Sequence, residues 1–333
     1  TEDNCEHIDV PRSQNPMELP PRTDYISFEK ESQILLLDKP LLVALHGLSG
    51  GSHELYLRAL VSEITKNHGF EAVVVNSRGC AGHLPTTPQL FNGLWTNDVR
   101  YVLNEHIPLI NPNKPIYMVG FSLGGSILAN FLGQEAESVS SQIRGACVMA
   151  APWDFVEGSV ELESSFLGYH VYSPTMLQSL LKLLDLTYKY LEKNPVVASV
   201  GLGSKFPLLR DFDDAVTLKM FGFHSAVDYY RHALPSQRLD KIRVPTLVIL
   251  SLDDPIVGTK CLPYSETKIN PFVTMATTTC GGHLGWFDWK GQRWYPGAVS
   301  KLFRELHENW TWSPSDANAP KRADNWKHDR IVQ

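Results

Sequence analysis

Gly120-Phe121-Ser122-Leu123-Gly124 constrains this chain more than any other stretch. It follows the apolar run Pro115-Ile116-Tyr117-Met118-Val119 and leads into Gly125-Ser126-Ile127-Leu128-Ala129-Asn130-Phe131-Leu132. An apolar run, a Gly-x-Ser-x-Gly turn and a helix-forming segment predict a strand, a sharp turn and a helix, with the Ser122 hydroxyl lifted to the tip of the turn. The glycines allow the strand and the helix to approach closely. A serine in that position is suited to act as a nucleophile, provided that a base takes its proton.

The partners of such a serine follow it in the order acid, then histidine. Downstream, Val244-Pro245-Thr246-Leu247-Val248-Ile249-Leu250 predicts a buried strand that runs into Ser251-Leu252-Asp253-Asp254-Pro255-Ile256-Val257. An acid just beyond the C-terminal end of a strand lies where open α/β sheets collect functional groups. Two neighbours compete for the role. Asp254 is favoured by the apolar pair two and three residues after it, and Asp253 then caps the loop. The β-branched stretch Phe272-Val273-Thr274-Met275-Ala276-Thr277-Thr278-Thr279 predicts the last strand. His283 follows in a Gly-rich loop, Cys280-Gly281-Gly282-His283-Leu284-Gly285-Trp286. Its order and place single it out among twelve histidines. An earlier strand, Leu41-Leu42-Val43-Ala44-Leu45, feeds His46-Gly47-Leu48-Ser49-Gly50-Gly51. Backbone N–H groups there can hold a developing oxyanion together with the N–H of Leu123. Leu48 is the expected donor, Gly47 its rival, and His46 is expected to order the loop.

These segments together resemble the α/β-hydrolase superfamily. His46 to Ser52, Asn76-Ser77-Arg78-Gly79-Cys80, Gly120 to Gly125, Asp253-Asp254-Pro255 and Gly281 to Gly285 resemble its YheT-type branch, as do Arg210-Asp211-Phe212-Asp213-Asp214 and Asp228-Tyr229-Tyr230. That branch includes the fungal medium-chain fatty acid ethyl ester synthase/esterases and related monoacylglycerol lipases. The resemblance implies an esterase acting on medium-chain acyl esters. Ser122 is then the nucleophile, Asp254 the orienting acid, His283 the base, and Leu48 and Leu123 the oxyanion donors. It also implies, in some members, acyl transfer from acyl-CoA to an alcohol. An H-x-x-x-x-D pattern, His283 to Asp288, has been linked to acyl transfer in related hydrolases. No cofactor or metal is expected.

At 333 residues the chain can bury a large core. A net charge of −6, with no concentrated Lys/Arg run, argues against a nucleic-acid surface. Five cysteines without regular spacing do not predict a disulfide framework and fit a reduced, intracellular setting. No apolar run reaches the roughly 18 residues of a membrane span. The expectation is a cytoplasmic or peripherally membrane-associated protein, with contact to a membrane or lipid droplet open to it. Alternating strands and helices predict a mainly parallel, doubly wound sheet. Residues 32–151 and 240–312 form the predicted core, and residues 152–239 a helical lid insertion. Within that insertion Pro174 to Tyr190 predicts a helix with Met176, Leu177, Leu180, Leu181, Leu184 and Tyr188 on one face. Residues 1–31 are an expected irregular arm and 313–333 a polar tail. Ser32 to Leu37 predicts a strand, and Leu94 to Ile107 and Pro296 to Asn309 predict helices.

Overall fold

The computed structural model describes residues 27–310, Leu202 excepted. At its centre is a six-stranded sheet whose spatial order is β2-β1-β3-β4-β5-β6. The strands are β1 Leu41–Leu45, β2 Glu71–Val75, β3 Ile116–Phe121, β4 Ile143–Met149, β5 Thr246–Ser251 and β6 Val273–Thr278. Every pairing is parallel. β1 and β3 are buried at every position, as strands covered on both faces must be. Leu57, Leu60 and Ile64 of α2 (Leu55–Asn67) pack on one face with Val299 and Phe303 of the C-terminal helix Tyr295–Asn309. Ile127, Leu128 and Phe131 of α3 (Leu123–Glu135) pack on the other with Val99, Leu103 and Ile107. Because all strands run the same way, the loops after β1, β3, β5 and β6 leave one rim of the sheet, and functional groups collect there.

Residues between β4 and β5 are helical. They include α4 (Phe155–Ser164), α5 (Ser173–Leu191) and α6 (Ala226–Ala233), joined by short helical turns. The Asp154 carboxylate caps α4 by accepting the N–H groups of Val156 and Glu157. Pro174 sits in the first turn of α5, where its missing N–H costs no hydrogen bond. Leu177, Leu184 and Leu191 of α5 join Val197, Phe212 and Val216 in a hydrophobic cluster separate from the two beside the sheet.

Two predicted elements differ. Ser32 to Leu37 is not a strand but most of helix α1 (Phe28–Leu36), so the expected irregular arm also ends earlier than residue 31. The Ser27 hydroxyl caps α1 at the Lys30 N–H, and Glu29 and Glu31 favour its positive end. A short apolar run has no period of its own to separate strand from helix, and the cap decided it. The helix predicted from Leu94 starts at Asn97. It passes through a π-type turn at Val102–His106 and ends at Ile110, with Pro108 just after that turn. The rest of the predicted arm and the tail from residue 313 lie outside the described residues. No helix among the described residues is long and apolar enough to cross a membrane.

Candidate active site

The turn after β3 is as tight as its glycines allow. A Cβ on Gly120 would lie 2.4 Å from the Gly124 carbonyl oxygen, and one on Gly124 would lie 2.3 Å from that of His46. Ser122 between them has φ +52° and ψ −124°, a conformation non-glycine residues rarely adopt. The surroundings hold it there. Its N–H donates to the Met149 carbonyl on β4 at 2.8 Å, and its carbonyl accepts from Gly125 and Ser126 at 2.8 and 3.1 Å.

Three distant side chains meet at this turn. His283 Nε2 lies 2.9 Å from Ser122 Oγ, and His283 Nδ1 lies 2.8 Å from Asp254 Oδ2. The other Asp254 oxygen accepts the N–H groups of Ile256 and Val257 at 2.9 and 3.1 Å, so the carboxylate is fixed and buried. An acceptor at Nδ1 favours the tautomer with its proton there, leaving Nε2 free to take one from the hydroxyl. Asp253 faces elsewhere. Its Oδ1 accepts from the Gly282 N–H at 2.8 Å and from the Ser251 hydroxyl, tying the β5 loop to the histidine loop. The Ser251 hydroxyl, followed by the Gly282 N–H, holds the Asp253 carboxyl below the usual carboxylate range. Asp288 turns its carboxylate to the N–H groups of Lys290 and Gln292.

The loop after β1 supplies backbone donors. Gly47 gives its N–H to the Tyr56 hydroxyl at 2.9 Å. The N–H groups of Leu48 and Leu123 have no acceptor among the described residues, and both residues border the same cleft as Ser122. His46 is buried beneath the loop. It accepts the Ser77 N–H at Nε2 (2.9 Å), which leaves Nδ1 to donate to the Gly47 carbonyl at 2.6 Å. Burial pushes the imidazole down to about 4, so it is neutral at neutral pH.

Two residues that sequence reasoning passed over complete the arrangement. Tyr56 holds Gly47 from the first turn of α2, and no local signal separates it from an ordinary helix residue. Trp286 is the post of the histidine loop. Its indole N–H donates to Thr278 Oγ1 at 2.9 Å, and Gly281 leaves room for the ring, since a Cβ there would sit 2.3 Å from the indole nitrogen. The Gly-rich approach to His283 was the visible sign of that packing.

From Ser122 the cleft extends among the inserted helices, with a volume near 1140 Å³ including the space open at its mouth. Met176, Leu180 and Leu183 of α5 line it, and Leu177 and Leu184 of the same helix, with Leu183, belong to the inserted helices' own core. The predicted apolar stripe therefore serves both purposes. The Arg210 to Asp214 run braces this wall. Arg210 pairs with Glu163 at 3.2 Å, Asp213 accepts hydroxyls from Thr217 and Tyr230, both at 2.7 Å, and Asp214 accepts the Ala226 N–H at 2.8 Å.

Residues 40–288 match the sequence model of the alpha/beta hydrolase fold. Monoacylglycerol lipase of Saccharomyces cerevisiae is 40% identical over 276 residues, which cover 82% of this chain and 61% of the yeast protein. Medium-chain fatty acid ethyl ester synthase/esterase 2 of the same yeast is 33% identical over 308 residues, covering 87% of this chain and 67% of that protein. The chain thus spans less than two thirds of the yeast lipase's length. Among solved structures, DcsB in complex with its substrate analogue matches with a TM-score of 0.50 at 15% identity, over 80% of this chain and 90% of DcsB, a likeness of fold alone.

Proposed function

This chain belongs to the alpha/beta hydrolase fold family, and from that premise we propose that it is a serine esterase acting on medium-chain acyl esters. One observation carries the reading: Ser122 Oγ, His283 and Asp254 form a continuous hydrogen-bonded line at 2.9 and 2.8 Å beside an apolar cleft. Ser122 attacks the ester carbonyl while His283 Nε2 takes the hydroxyl proton. Asp254 keeps the imidazole in the required tautomer and stabilises its positive charge. The N–H groups of Leu48 and Leu123 hold the tetrahedral oxyanion. As that intermediate collapses, the alcohol leaves with the proton from His283. Water, deprotonated by the same nitrogen, then releases the acid and restores Ser122. The acyl chain lies along Met176, Leu180 and Leu183, with residues 152–239 as its lid. The names of the two yeast relatives support an acyl ester as substrate.

The test is labelling by a fluorophosphonate and hydrolysis of p-nitrophenyl esters across acyl lengths. Ser122→Ala is expected to lose labelling and at least about 10⁴-fold in kcat, with wild-type activity highest on medium chains. Undiminished labelling of Ser122→Ala defeats the proposal. A second reading, an alcohol acyltransferase making fatty acid ethyl esters from acyl-CoA and ethanol, is favoured by the name of the second yeast relative. It uses the same acyl-enzyme, with an alcohol in place of water.

A further inference from the structure

The connection from β6 to the C-terminal helix carries a second built feature, on the rim that also holds Ser122, Asp254 and His283. Just beyond the buried Trp286, Phe287 and Arg293 form an isolated antiparallel bridge. Asp288 to Gln292 closes the turn between them. The Asp288 carboxylate accepts the N–H groups of Lys290 and Gln292 at 2.8 and 2.9 Å, and its own N–H donates to the Gln292 carbonyl at 2.7 Å. Gly291 supplies the left-handed φ of +74° that the turn requires. A fixed turn therefore presents Trp289, 89% exposed, with Phe287 beside it at 59%. Lys290 Nζ lies 4.9 Å from the centre of the Trp289 ring, and the Arg293 guanidinium 4.5 Å from that of Phe287.

A single exposed apolar residue is ordinary on a soluble protein. Here a rigid turn holds an indole in water, and two bases outnumber the one acid between Trp286 and Trp294, on a chain whose net charge is −6. That acid already serves backbone N–H groups. Aromatic rings with a polar edge favour the headgroup boundary of a bilayer, and cations beside them meet lipid phosphates. Because the turn is already ordered, little conformational entropy is lost on docking. We propose that this turn docks the protein on a phospholipid surface. Trp289 and Phe287 enter the headgroup boundary, and Lys290 and Arg293 face phosphates. The proposal rests on the reading of the cleft as an acyl site, since esters of that class partition into lipid layers.

The experiment is flotation of the full chain with vesicles of phosphatidylcholine alone or mixed with phosphatidylserine, beside hydrolysis of a water-soluble short-chain p-nitrophenyl ester. Wild type is expected to float, more strongly with the anionic lipid. Lys290→Glu should lower binding to the mixed vesicles about fivefold or more and Trp289→Ala about tenfold, both hydrolysing the soluble ester like wild type. Absence of hydrolysis in every sample would remove the esterase reading while flotation still reports docking. Failure of wild type to float, or equal flotation of Trp289→Ala, overturns the proposal. So does loss of flotation only in Phe166→Ser or Leu167→Ser, exposed residues of the inserted helical region. A wild-type dimer that fails to float and that Trp289→Ala dissociates makes the turn a contact between copies, and likewise overturns it.

Discussion

Gly47 and Leu48 are adjacent in the chain, yet only one of them has its N–H spoken for. The Tyr56 hydroxyl, nine residues beyond Gly47, accepts that N–H at 2.9 Å while its ring packs 5.0 Å from Phe121. Tyr295 adds a further hold by donating to the Tyr56 carbonyl at 2.5 Å. The loop after β1 is thus pinned with Leu48 presented toward the cleft. Tyr56→Phe removes the acceptor and frees the loop to turn. Under the proposed mechanism the expected outcome is a kcat about tenfold lower with KM nearly unchanged, because an oxyanion donor acts in the transition state more than on bound substrate. Stability should fall by about 1 kcal/mol. Steady-state kinetics on a medium-chain p-nitrophenyl ester read the split, and a raised KM with kcat intact would make Tyr56 a wall of the cleft instead.

Among elements, the joint between α6 and the helical turns that precede it is held by a buried acid. Asp213 accepts the Tyr230 hydroxyl from α6 and the Thr217 hydroxyl from its own helical turn. Burial pushes its carboxyl up to about 6, against the opposing pull of those two hydroxyls. The folded value thus lies above the unfolded one of about 3.9. Between those values the folded chain binds more protons than the unfolded chain, so stability falls as pH rises from about 4 to 6 and the loss is complete above that. The change is of the order of 3 kcal/mol. Asp213→Asn lacks this dependence. Thermal unfolding at pH 4.5 and pH 7 should show the variant gaining on wild type at the higher pH. A difference that does not move with pH would mean that the carboxyl ionises normally in the fold.

For the whole molecule, the outcome of the second half-reaction in the proposed mechanism depends on how the inserted helices and the sheet rim share the cleft. If the insertion keeps water from the acyl-enzyme, an alcohol competes above its concentration. Supplying ethanol with a medium-chain ester and measuring the ratio of ethyl ester to free acid separates the two readings. An ester fraction far above the ethanol-to-water ratio favours transfer, and a proportional fraction favours hydrolysis. The sequence by itself determined the alternation of strands and helices, the turn around Ser122 and the order in which Asp254 and His283 follow, because buried strands, Gly-rich turns and chain order are local properties. It also marked the helix from Pro174, whose apolar stripe has a helical period. Tertiary structure decided what depended on contacts between distant segments. It turned Asp254 and not Asp253 toward His283, set Tyr56 on Gly47 and Trp286 under the histidine loop, and split the α5 stripe between core and cleft. The apolar pair after Asp254 and the glycines before His283 are the traces these choices leave in the chain; the rest is settled by which hydrogen-bond partner or packing surface another part of the fold brings within reach.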